Sequence, residues 1–157
     1  MEFLIKELQT LFIESRGQPI SFNGKNIVQI DCINIHKTVI DYCFLSNPNE
    51  ILNGFALKIQ NGYIELSNGK KVNIVYTWNQ KEVPNIGHYS IVSSDNKIKI
   101  WNIYHVNSKE LTIADYWTNN AGMIVDSITN TKRIYYCSDG IGIFDPNDNI
   151  FSLSWIE

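Results

Sequence analysis

The chain has 157 residues, 44% of them hydrophobic and 18% charged. That length suits one domain over 1–157 with its own core, and that balance excludes a disordered chain. A formal charge of −3 and a sequence pI near 5.6 argue against the basic stripe of a nucleic-acid-binding domain and fit a basic protein partner better.

Lysine and arginine are scattered, and no basic cluster exceeds a pair such as Lys70-Lys71. Cys32, Cys43 and Cys137 are odd in number and lack C-x-x-C spacing, which excludes a disulfide framework and a cysteine-rich zinc site. Cys32 and Cys137 sit in apolar runs, so both are expected to be buried free thiols in a reducing compartment. The N-terminus lacks a basic n-region, and no stretch has the 18 or so apolar residues of a membrane span. The expected setting is cytoplasmic, away from membranes.

Taken in order, Glu2–Ser15 reads as the one good helix. Leu4, Leu8, Leu11 and Phe12 form an apolar stripe opposite Glu2, Lys6, Gln9 and Glu14, and Gly17 and Pro19 mark its end. Asn23-Gly24 signals a turn. Ile27–Ile35 and Thr38–Leu45 read as strands, or as one long bent strand, before a loop at Ser46–Glu50. Phe55–Gln60, Tyr63–Ser67 and Lys70–Trp78 are separated by Asn61-Gly62 and Asn68-Gly69. Two such turns in succession predict a three-stranded antiparallel meander. A loop at Asn79–Gly87 leads to a short strand at His88–Val92.

Lys97–Val106 is the strand around which the rest is expected to organise. Ile98, Ile100, Asn102 and Tyr104 face one way, and Lys99, Trp101, Ile103 and His105 the other. A turn at Asn107–Glu110 and a second β-rich run, Leu111–Trp117, follow. After a loop at Thr118–Gly122, three more strands are expected at Met123–Ile128, Lys132–Cys137 and Ile150–Trp155. The sum is an α+β fold in which an amphipathic N-terminal helix packs on a large, curved, mostly antiparallel sheet or half-barrel.

Reactive chemistry is sparse. There is no G-x-S-x-G elbow, and the three histidines are isolated, so neither a serine nucleophile nor a metal site is expected. Gly140-Ile141-Gly142 lacks the third glycine of a dinucleotide fingerprint. Asp145–Asn149 has calcium-like donors but not the EF-hand order. No cofactor is expected. An enzyme would require His88 or His105 beside a carboxylate or a cysteine. Tyr135 and Tyr136, as strand neighbours, must face opposite ways, so one of them leaves the core. The acidic loop beyond Cys137 places Asp139, Asp145 and Asp148 near that ring, an aromatic-acidic combination suited to a basic protein.

The C-terminal third resembles small bacterial immunity proteins of contact-dependent growth inhibition and polymorphic toxin systems. The resemblance runs from Trp101-Asn102-Ile103 and Asn120–Val125 through Tyr136-Cys137-Ser138-Asp139-Gly140 to Ile150–Leu153. It implies a non-enzymatic cytoplasmic inhibitor that binds a toxin domain, often a nuclease, and covers its active site. On the physical argument, Asp139, Asp145 and Asp148 would supply charge, with Tyr136 and Phe144 as apolar anchors. The alternative is a small-ligand-binding module with an apolar pocket in the curved sheet.

Overall fold

The computed structural model describes residues 8–48, 50–105 and 120–156. The first part of the expected helix, the turn at 107–110 and the run Leu111–Trp117 lie outside them. In chain order the elements are α1 (Leu8–Glu14), β1 (Ile20–Phe22), β2 (Lys25–Ile27), β3 (Asp31–Ile33), β4 (Lys37–Phe44), β5 (Leu52–Lys58), β6 (Gly62–Glu65) and β7 (Lys71–Val72). They continue with β8 (Ile74–Asn79), β9 (Ile86–Ser93), β10 (Ile98–His105), β11 (Asn120–Thr129), β12 (Lys132–Gly140) and β13 (Asn149–Ser154).

The strands form two main antiparallel sheets and a hairpin. A four-stranded sheet runs β3-β10-β5-β8, a seven-stranded sheet runs β11-β12-β13-β4-β9-β6-β7, and β1-β2 stands apart. Their inner faces meet through a ladder of aromatic rings. Tyr135 stacks on Phe151, and Phe151 on Phe55, each at 4.8 Å, while Tyr42 packs on Phe55 at 5.5 Å and on Tyr89 at 5.6 Å. Such pairs contribute about 0.5–1.5 kcal/mol each beyond the area they bury. Ile40, Ile64, Ile91, Leu57 and Ile100 fill the space around them. At one edge Asp31 of β3 accepts hydrogen bonds from Arg133 and from the Tyr135 hydroxyl of β12, both at 2.6 Å, and joins the sheets.

β10 is buried on both faces from Ile100 to His105, as a strand at the centre of its sheet should be. β5, its neighbour, is buried almost throughout. β4, by contrast, carries the alternation of a strand with one wet side, with Lys37, Val39 and Asp41 exposed and Ile40 and Phe44 buried.

The meander expected over Phe55–Trp78 does not form. β5 pairs with β8, while β6 leaves for the other sheet and pairs with β7 and β9. Asn68-Gly69 closes the β6–β7 hairpin as anticipated, with Leu66 N–H donating to Lys70 O at 2.8 Å. Asn61-Gly62 is a crossing point instead. The Asn61 side chain donates to Asp95, and Gly62 runs so close to β9 that a Cβ there would lie 1.9 Å from Val92 O. The asparagine side chain holds the β9–β10 turn and the bare glycine lets β6 pair closely with β9 in the seven-stranded sheet, which the local pattern does not distinguish from a turn.

The helix also departs from expectation. It covers no whole sheet face. Its Leu8 and Phe12 pack with Ile27 in a small satellite cluster at the β11 edge. Gly122 permits that approach, since a Cβ there would meet Ile27, Leu8 and Phe12. α1 ends where Arg16, at φ 57°, turns the chain and Gly17 N–H reaches back to Phe12 O. Asn23 and Gly24, both at positive φ, make the two-residue β1–β2 turn. Cys137 is buried as expected, but Cys32 is exposed, because β3 is a short edge strand. No helix among the described residues is long and apolar enough to cross a membrane.

Candidate functional site

From Val39 onward β4 is apolar at every position but Asp41. Ile40, Tyr42 and Phe44 point into the core, so Val39, Asp41 and Cys43 point out, and Leu45 follows. The outward set is not covered: Val39 is 44% exposed, Leu45 52% and Ile86 of β9 62%. Antiparallel register lines up rows across this outer face. Ser154, Asp41 and His88 stand opposite one another on β13, β4 and β9, as do Ser152, Cys43 and Ile86. The small serines and Cys43 leave a shallow groove of about 600 Å³ over the middle of the sheet, lined by Asp41, Cys43, Ile86, His88, Ser152 and Ser154.

One end of the same face is covered. There α1 and the β1–β2 hairpin pack over Gly122 and Ile124. The connection between β12 and β13 folds down beside them, and Phe144 meets Phe22 edge-on at 5.9 Å. Asn120 fastens this corner by donating to Gly142 O at 2.7 Å and accepting from Leu8 N–H at 3.1 Å. Tyr136 lies half-buried between the loop and the open face, opposite Ile150 on β13 and Ile124 on β11, while Tyr135 is buried on the other side.

The loop is held by three of its acidic side chains and by Ser138 of β12. Ser138 Oγ accepts from Asp145 N–H at 3.2 Å, Asp139 Oδ1 from Ile141 N–H at 2.9 Å and Asp145 Oδ1 from Asn147 N–H at 3.0 Å. Asp148 Oδ2 accepts from Asp139 N–H at 3.2 Å. Asp139 is buried at 3% exposure, Asp148 is half-buried and Asp145 is exposed. Burial pushes the Asp148 carboxyl up to about 6, and the carboxylates of Asp139 and Asp145 add to that against the opposing pull of Asp139 N–H. Of the five residues singled out in the sequence, Asp145 is thus the exposed charge at the tip. Asp139 and Phe144 build the loop, and Tyr136 borders the open face.

The tip holds two exposed residues that the sequence reading passed over, Ile141 at 42% and Ile143 at 83%. Their signal was an apolar run, Ile141-Gly142-Ile143-Phe144, inside an otherwise polar loop. The outer face had a signal too: Val39–Leu45 is apolar on both strand faces except at Asp41.

His88 does stand beside a carboxylate and shares its groove with a cysteine. Among the described residues, however, no hydrogen bond joins Asp41, His88 and Cys43 to one another. Cys43 Sγ instead makes a 3.7 Å contact with Phe44 O. No proton relay is assembled there. Among the described residues no group of three or more histidine, cysteine and acidic side chains is placed to hold a metal ion. The arrangement offers apolar contact with an acidic margin. No protein-family model, curated protein or solved structure matches this chain.

Proposed function

We propose that the protein is a non-enzymatic immunity protein that binds a cognate toxin domain, a basic nuclease, and neutralises it by covering its active site. The observation that carries this reading is the loop tip. Ile141 and Ile143 are held out in solvent on a braced loop, next to exposed Asp145 and half-buried Asp148. Two exposed isoleucines close together on one loop make an apolar spot of the kind a partner covers. Carboxylates around such an anchor suit a surface built to grip phosphates. The open face beside the loop, with Tyr136, Cys43, Leu45 and Ile86, extends the contact. An inhibitor of this kind needs a rigid scaffold and complementary charge rather than reactive groups, and the braced loop supplies the rigidity.

The test is binding of the cognate toxin domain by calorimetry, with the wild type and with Ile143→Asp and Asp145→Lys. Loss of an apolar anchor at an interface centre costs about 2 kcal/mol or more, so Ile143→Asp is expected to weaken binding about thirtyfold. Asp145→Lys should weaken it further at low salt than at high salt. Unchanged affinity for both variants would exclude the loop as the contact.

A second reading, a small-ligand-binding module, draws on the groove over Asp41, Cys43 and His88. It moves the ligand from the inter-sheet space, which aromatic rings fill, to the outer face. A small molecule retained through purification and lost in Cys43→Phe would favour it.

A further inference from the structure

Two buried asparagines tie the sheets together in opposite senses. Asn102 on the inner face of β10 is 1% exposed, and its Nδ2 crosses to β12 to donate to Ser138 O at 2.9 Å. Asn149 at the start of β13 is fully buried, and its Nδ2 crosses to β5 to donate to Gly54 O at 2.9 Å. Ser138, near the end of β12, and Asn149, the first residue of β13, flank the acidic loop. The loop is therefore fixed to the four-stranded sheet at both of its roots.

Each Nδ2 gives an N–H to this clasp, and neither Oδ1 takes part in it. Neither Asn102 Oδ1 nor Asn149 Oδ1 has a hydrogen-bond partner among the described residues, although both atoms are buried. Turning either amide over would set its oxygen against a carbonyl oxygen, so Ser138 O and Gly54 O fix both orientations. A buried amide oxygen without a donor is costly, and proteins meet that cost with enclosed water. The two atoms with no partner are acceptor oxygens, so what fits them is a small species that donates. We infer that the clasp is a hydrated site. Ordered water bonds Asn102 Oδ1 and Asn149 Oδ1 at the base of the loop, and the two asparagines act through it and through Ser138 O and Gly54 O as positioning residues for the segment between Ser138 and Asn149. The inference holds whichever partner the loop meets.

A high-resolution crystal structure of the full chain tests occupancy directly. The expected result is a water peak about 2.7–3.2 Å from each Oδ1, unchanged when crystals are soaked in rubidium or thallium salts. An empty space, or an Oδ1 that reaches a protein donor, would overturn the site. An anomalous peak after soaking would overturn the water assignment in favour of a cation held by carbonyl oxygens. The positioning role is read by hydrogen exchange in Asn102→Leu and Asn149→Leu. The amides of Ile141, Asp145 and Asn147 should exchange about tenfold faster, with β4 and β9 unaffected. Unchanged loop exchange would overturn the positioning role. Where a variant does not fold, the wild-type density and the other variant decide.

Discussion

At Asp148, burial and neighbouring carboxylates raise the carboxyl to about 6, above the usual value near 3.8. A group raised on folding binds its proton more tightly in the native state, so its favourable contribution is complete below about pH 4 and is lost as pH rises through about 6. Discounted for solvent screening, that loss is about 1 kcal/mol. Asp148→Asn keeps the shape and removes the charge. The variant should match the wild type near pH 4.5 and exceed its melting temperature by about 2–4 °C at pH 7.5. Thermal melts at the two pH values check this, and a pH-independent difference would contradict it. Asp31 presents the opposite case. Its carboxylate accepts from both Arg133 and Tyr135 and holds Arg133 charged against the pull of burial. Asp31→Ala strands the half-buried Arg133 and the buried Tyr135 hydroxyl and should cost about 2–3 kcal/mol by urea denaturation. Tyr135→Phe, which leaves the ion pair, should cost about 1 kcal/mol.

Among the elements, the crossing between β5 and β6 is the most demanding. Gly62, at φ 154°, passes within reach of Val92 O, with no room for a Cβ. Gly62→Ala should destabilise the fold by about 2–4 kcal/mol, whereas Gly24→Ala and Gly69→Ala, which meet nothing, suffer only from their backbone conformation at about 1 kcal/mol. The positions of the strands are legible in the sequence further than their partners are. Alternation or an apolar run places β4, β6, β10 and β13 to within a residue or two, whereas β9 and β12 run two to three residues further than expected. Neither signal reveals which strands pair. Asn61-Gly62 and Asn68-Gly69 are identical dipeptides, and only tertiary contact with Asp95 and Val92 makes one a crossing and the other a turn. The helix was overread for a similar reason: Leu8 and Phe12 have the right spacing, but they meet a small corner of the sheet.

At the scale of the molecule, two sheets close on an aromatic core, and one outer face is left open beside an acidic loop. Part of this was legible. Tyr135-Tyr136 required one ring to leave the core, and Tyr136 does border the open face. The carboxylates were legible as a cluster but not by role, because burial of Asp139 and exposure of Asp145 depend on how the loop folds against Phe22. The open face places Val39, Leu45 and Ile86 in solvent, and a partner that covers them should stabilise the fold by mass action. The most direct measurement is hydrogen exchange on the protein alone and co-expressed with its cognate toxin domain. A one-to-one complex with slowed exchange confined to the loop at 139–148 and to the β4–β9 side of the seven-stranded sheet is the result expected. No complex, or protection confined to the four-stranded sheet, would contradict the account.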